Sequence, residues 1–381
     1  MKKFLAVLLA LAMVFTFAAC GGEKEEATAS GAIKVGCTGP LTGGAAIYGN
    51  AVKNGAEIAF EEINALGGMQ FEFNMQDDAH DAEKAVNAYN DLKDWGMQLM
   101  MGTVTSAPAE ATAAEAYADR VFYLTPSASS TDVTKGKDNI FQMCFADPNQ
   151  GSGAAQYISE HNMAKKVGMI YKSDDNYSMG IRATFLEGCK NLGLELVAEE
   201  AFTDATSTDF TVQVKKMQDA GAELVFLPMY YTPASLIFAQ AKAIGYAPTW
   251  FGVDGMDGIL TLEGFDTTLA EGVVLLTPYS ADDTSELNQN FVAKYQEKFG
   301  EVPNQFAADA YDCAYALYTV AAAAELTSDM AASDICDQLI SLFTSMTFNG
   351  LTGSNMTWDA TGAVSKSPNA MVIQNGAYVG L

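Results

Sequence analysis

Apolar positions along this chain switch repeatedly between short runs and a helical period. Ile33–Cys37 is a short apolar run bounded by glycine, as a buried strand is. After a glycine-rich loop, Val52, Ala56, Ala59, Ile63 and Leu66 recur at spacings of four, three, four and three, one face of a helix. Lys53 and Glu57 sit one turn apart on another face and can pair weakly, and Gly67-Gly68 supplies a left-handed residue to end the helix. The same alternation predicts strands at 71–75, 98–102 and 121–125, with helices at 81–95, capped by Asp81, and at 107–119. It restarts beyond Asp147, with strands at 167–171, 194–198, 224–227 and 249–253 separated by helices. Helices starting near Ser285, Gln305 and Ala332 follow, and Trp358-Asp359 and Ala370–Gln374 read as short strands in the tail. Strand–helix alternation predicts mostly parallel sheets. Two such runs in about 350 residues predict two α/β lobes, because one core seldom grows that large.

The strand ends carry the chemistry. Two predicted strands run into hydroxyl-rich loops, Thr103–Ser106 and Pro126–Ser130, and Tyr48 lies beyond a third. In open parallel sheets such loops share the C-terminal edge, where small ligands bind, and helix starts there present N–H groups to anions. A carboxylate seeks hydroxyls and N–H donors, and Ser106 and Ser129 suit it by chemistry and by position.

The chain opens with MKKFLAVLLALAMVFTFAAC: two lysines, an apolar run from Phe4 to Ala19, then a cysteine, which is a secretory signal. The run falls short of the ~20 residues that span a bilayer comfortably. Phe17-Ala18-Ala19-Cys20 resembles a bacterial lipobox, which implies acylation of Cys20 and attachment to the membrane without spanning it. Residues 21–31 are polar and read as a flexible tether.

Composition narrows the function. With 47 acidic and 21 basic residues the formal charge is −26, and a chain this acidic is repelled by nucleic acid and anionic lipid. Only two histidines are present, and no G-x-S-x-G, H-E-x-x-H, C-x-x-C or phosphate-loop motif occurs, so an enzyme is not expected. Asp77-Asp78-Ala79-His80-Asp81 is the one metal-like cluster, and it reads as a strand end followed by a helix cap. No cofactor is expected. The cysteines after the signal, at 37, 144, 189, 313 and 336, are scattered and odd in number, and read as small buried residues.

The stretch IKVG-x-x-GPLTG-x-x-x-x-YG-x-x-x-x-NGAE-x-A-x-x-EIN-x-x-GG resembles the opening of the leucine/isoleucine/valine-binding proteins of ABC transporters, and the resemblance continues along most of the chain. It implies a type I periplasmic binding protein: two Rossmann-like lobes joined by a three-strand hinge. It places crossings near Ala146–Pro148, Thr277–Ser280 and Asn349–Gly353, with residues 32–146 plus 279–348 in one lobe and 147–278 plus 349–381 in the other. It puts Ser106, Ser127 and Ser129 at positions that hold a ligand's carboxylate and amine. Asp254, in F-G-V-D-G, falls at the acidic position facing the amine, as the one acid on the inner cleft. Tyr48, Tyr177 and Tyr230 fall on the aromatic walls. The implied function is extracytoplasmic capture of an amino acid and delivery to ABC permease subunits. A sensor of the same fold, signalling to a partner, is the alternative that fold alone does not separate.

Overall fold

The computed structural model describes residues 31–381, so the predicted signal, Cys20 and nearly all of the tether lie outside the described residues. The first run folds as β1 (Ile33–Gly39), α1 (Ala46–Ala65), β2 (Phe71–Asp77), α2 (Ala82–Asp94), β3 (Leu99–Met100), α3 (Ser106–Asp119), β4 (Phe122–Thr125), α4 (Thr131–Thr134) and β5 (Ile140–Gln142). Its strands form a parallel sheet in the order β2-β1-β3-β4-β5. The second run comprises α5 (Asp147–Glu160), β6 (Lys166–Lys172), α6 (Asn176–Leu192), β7 (Glu195–Phe202), α7 (Thr211–Asp219), β8 (Leu224–Leu227), α8 (Tyr231–Ala243), β9 (Thr249–Gly252) and β10 (Val274–Thr277). Then come α9 (Glu286–Phe299), α10 (Gln305–Ala323), α11 (Ala332–Ser345), β11 (Asn369–Gln374) and β12 (Ala377–Gly380). The second sheet has the order β12-β11-β10-β9-β8-β6-β7, parallel except for β11 and β12 at one edge.

The structure is therefore the expected two-lobed α/β fold. Helices α9 and α10 pack on α1, and α11 packs on β4, before β11 rejoins the second sheet. The chain thus passes between the sheets three times: after β5, after β10 and after α11.

Local chemistry explains the elements. The predicted stripe of α1 is buried at Val52, Ala56, Ala59 and Ile63. Leu66 is a correction: it is 59% exposed, because it caps the helix and lies beyond the last packed turn. Gly67 has φ of +77° and ends α1 as expected. Gly55 lets α10 approach, since a Cβ there would lie 2.0 Å from the Ala307 carbonyl oxygen. Asp81 caps α2 by accepting from the Lys84 N–H at 2.9 Å. The run 274–277, read only as lying beside a crossing, is strand β10, held between β9 and β11.

The third crossing is displaced. Gln142 of β5 donates its N–H to the Gly362 carbonyl at 3.0 Å and accepts from the Trp358 indole at 2.8 Å. The Trp358 ring packs on Phe343 of α11. The hairpin closed by the Phe348–Met356 and Trp358–Val364 bridges therefore stays beside the first sheet, and the expectation that residues from Asn349 onward join the second lobe is corrected. Next to this segment lies a buried ionic network. The Lys366 ammonium is 2.9 Å from Asp309 and 2.5 Å from the Thr352 hydroxyl. Asp312 accepts from the Leu351 and Thr352 N–H groups and the Thr352 hydroxyl.

Candidate functional site

Six of the seven predicted ligand positions meet in one enclosed space between the lobes. Tyr48, Ser106, Ser127, Tyr177, Tyr230 and Asp254 line it, together with Val104, Thr105, Gly255 and Phe306. Each predicted residue follows a strand: Tyr48 stands in the first turn of α1, Ser106 opens α3, and Ser127 follows β4. In the second lobe Tyr177 is in the first turn of α6, Tyr230 precedes α8, and Asp254 follows β9 in a short 3-10 turn. Parallel pairing brings these strand ends to common edges, and the lobes face each other across them.

The first lobe supplies a hydroxyl-lined anion cradle. Thr105 has no side-chain capping bond, so the first N–H groups of α3 have no partner inside the helix. Ser106 accepts from the Ser130 N–H at 3.2 Å and keeps its own proton for another acceptor. Ser127 is committed in part, because its hydroxyl donates to the Val104 carbonyl at 2.7 Å. Beneath them Thr38, Thr103, Thr112 and Tyr123 are hydrogen-bonded together and hold the loop rigidly. Ser129 does not line the space. It is buried, and its hydroxyl faces the Asp147 carboxyl.

The second lobe supplies acid and rings. The Tyr177 hydroxyl donates to Asp254 at 2.5 Å, and the Gly255 N–H reaches the same carboxylate oxygen at 2.7 Å. Burial pushes the Asp254 carboxyl up to about 7, against the lowering effect of Tyr177. Tyr177 and Tyr230 are stacked, with ring centroids 4.8 Å apart. Tyr231, adjacent in sequence, points elsewhere and accepts from the Ile47 N–H.

Among the described residues Asp254 is the one acid that lines the space. Asp147, at the start of α5, does not line it, but it is buried within electrostatic reach of Asp254 and faces the Ser129 hydroxyl. Burial first, and then the charge of Asp254, drive its carboxyl well above the usual carboxylate range. Gln150, one turn further on, accepts from the Asp254 N–H at 3.1 Å. Asp147 and Gln150 went unnoticed because A-D-P-N-Q reads as a hinge and a helix start. Phe306, whose ring lies 4.4 Å from Tyr48, sits on α10, which the sequence assigns only to the return of the chain.

The two lobes are closed on one another. The Tyr48 hydroxyl donates to the Gly255 carbonyl at 2.5 Å, Thr232 donates to the Gly44 carbonyl at 2.8 Å, and Asn176 donates to Glu110 at 2.7 Å. The space left among the lining side chains is about 10 Å³, close to the room one water needs. Anything larger enters only when the lobes part and Tyr48 and Tyr177 give up their present bonds.

The metal-like cluster is engaged in capping. Asp77 accepts from the Leu41 and Ala79 N–H groups, Asp78 accepts from the His80 N–H, and the His80 ring bonds the Thr105 hydroxyl at 2.8 Å. The five described cysteines are free and buried.

A pH dependence follows. The buried carboxyls of Asp78 and Asp254 are raised to about 7, and those of Asp175, Asp257 and Asp312 to about 6, in each case chiefly by burial. Each binds its proton more tightly folded than unfolded, so its stabilising contribution is present below the unfolded value of about 4 and is lost as pH rises toward its folded value. Melting of the unliganded protein should therefore occur at higher temperature at pH 5 than at pH 7.5. Scanning calorimetry at the two values checks this, and the reverse order would mean that these carboxyls are ionised when folded.

Comparison with known proteins agrees with this architecture. A family model described as periplasmic binding protein matches residues 32–377. A leucine-, isoleucine-, valine-, threonine- and alanine-binding protein of Pseudomonas aeruginosa is 28% identical over 298 residues, 76% of this chain and 79% of the relative. The branched-chain amino acid transporter substrate-binding protein of Streptococcus pneumoniae, solved with isoleucine, superposes with a TM-score of 0.82 at 29% identity, over 91% of this chain and 98% of that one. A leucine-binding protein of Thermotoga maritima gives a TM-score of 0.81 at 25% identity, over 92% and 97%. With nearly all of its described residues matched by that model and its site set at the strand ends between two lobes, this chain belongs to the periplasmic binding protein family.

Proposed function

We propose that the protein captures an α-amino acid, of the branched-chain kind or related to it, between its lobes and presents it to the permease subunits of an ABC importer, without catalysing a reaction. The observation that carries this reading is an unmatched demand for positive charge. Asp254 lines the space, Asp147 is buried within its electrostatic reach, and no basic side chain pairs with either among the described residues. A ligand ammonium meets that demand, and the Tyr177 and Tyr230 rings offer it cation–π contact. Opposite, the start of α3 and Ser106 suit a carboxylate. An α-amino acid carries both groups. The names of the relatives support the aliphatic side chain, and Val104 and Phe306 give it apolar surface.

In this reading the mechanism is hinge motion at the three connections, with lobes divided near residues 146 and 278 and, after the correction above, near 364. A ligand that touches both lobes favours closure because the open form offers it only half its contacts. Calorimetric titration with free amino acids tests the reading, and failure of all of them to bind would remove it.

Extracytoplasmic location with a lipid anchor at Cys20 is part of the same proposal, and rests on the signal and lipobox pattern. Cys20→Ser should release the protein from the membrane fraction or block its processing. Unchanged membrane fractionation of the variant would dispose of the anchor.

A further inference from the structure

A second cavity of about 640 Å³ lies between the lobes beside the second crossing, away from the aromatic site. Its walls are the first turns of α1, residues 257–261 after β9, the crossing at Thr277–Asp282, α9 with the loop after it, and the turn between β11 and β12. That volume is within the ~300–1,000 Å³ of small-molecule sites and far above the space at Asp254. Ile47, Leu260, Val292 and Met371 make much of it apolar, and Tyr279, Tyr295 and Tyr378 add ring faces.

Two buried polar groups in its wall are short of partners. One carboxylate oxygen of Asp257 accepts from the Gln305 N–H at 2.9 Å, while the other makes no well-aligned hydrogen bond among the described residues and has only the Tyr378 hydroxyl and the Gly258 N–H close by, although the residue is only 4% exposed. The Tyr279 hydroxyl is likewise buried and unpartnered, and it lies within the electrostatic reach of Asp257. Native structures rarely leave such atoms bare, because each costs its desolvation without return. The remaining charges on the wall, Asp282 and Glu301, are also negative, and among the described residues no lysine, arginine or histidine lines the space. An apolar cavity with a buried carboxylate that no basic group pairs, three tyrosines and only negative charge selects a particular chemistry.

We propose that this cavity is a second ligand site, which takes an organic cation with an apolar body: a primary ammonium on Asp257 and the Tyr279 hydroxyl, and a hydrocarbon or aromatic portion among Ile47, Leu260 and Met371. The site is distinct from that of Asp254, and its ligand needs no carboxylate, because no basic group waits for one.

The test uses the full chain and 2-phenylethylamine, followed by calorimetry or by ligand-observed NMR. Saturable binding is expected by wild type and by Asp254→Asn alike, up to concentrations on the order of 10 mM. 3-Phenylpropionate, of similar shape but anionic, should not bind. Asp257→Asn keeps an acceptor for the Gln305 N–H and should weaken the amine about thirtyfold or more. Tyr279→Phe removes a hydroxyl with no partner to lose, so it folds at least as well as wild type and should still weaken the amine. Absence of saturable amine binding, equal binding by Asp257→Asn, or equal binding of the anion would overturn the proposal. Loss of amine binding in Asp254→Asn would overturn it too, by moving the amine to the aromatic site.

Discussion

Replacing Asp254 by asparagine should weaken amino-acid binding by roughly thirtyfold to several thousandfold, with little change in the stability of the unliganded protein. Closure takes both charges of the ligand out of bulk water, and each then needs a partner. Removing one member of a buried, hydrogen-bonded charge pair typically costs about 2–5 kcal/mol, and ~1.4 kcal/mol is a decade in affinity. Asparagine keeps the size of the side chain and an oxygen to accept from the Tyr177 hydroxyl and the Gly255 N–H. Folding is spared for a second reason: with its carboxyl raised to about 7, Asp254 carries a costly charge in the unliganded closed form. Calorimetry on wild type and variant measures the ratio, and equal affinities for one amino acid would take Asp254 out of the site.

The largest effect on stability is expected at the buried Lys366–Asp309 pair. Lys366→Met should destabilise the protein by about 3–5 kcal/mol, the usual result of leaving one half of a buried ion pair behind. The Lys366 and Asp309 side chains are each 2% exposed, and their network ties α10 to the segment that leads back to β11. The double change Lys366→Met with Asp309→Leu should recover much of the loss, since a well-packed apolar pair avoids the desolvation of both charges. Urea unfolding of the three proteins decides. If the single and double variants are equally unstable, shape at this position matters more than charge.

How much of this was legible in the sequence depends on how local the signal was. Leu224–Leu227 matched its strand to the residue, because four apolar positions between Glu223 and Pro228 are too few for a buried helix. The start of α10 at Gln305 was legible because Asn304 is a capping residue after proline, and it accepts from the Ala307 N–H. The tail was not. Trp358 reads as part of a strand, but its partners, Phe343 and the backbone of Gln142, are distant in sequence, and only packing decides which lobe it joins. The site divided the same way. Ser106 and Asp254 stand at strand ends, and alternation alone places strand ends together. Ser129 shares a loop with Ser127 but faces Asp147, a residue outside that loop, so only packing separates the two serines. Asp147 was hidden since an acid before proline at a helix start reads as a cap, and its burial comes from α6, where Gly180 lies against it.

The most direct measurement is a pair of calorimetric titrations of the wild-type protein, with L-isoleucine and with 3-methylpentanoate, its counterpart without the amine. The cleft described here calls for a cation at Asp254 and offers donors to a carboxylate at α3. The account predicts one-to-one binding of the amino acid and loss of at least about thirtyfold in affinity for the acid. Equal binding of the two, or binding of the acid alone, would contradict it.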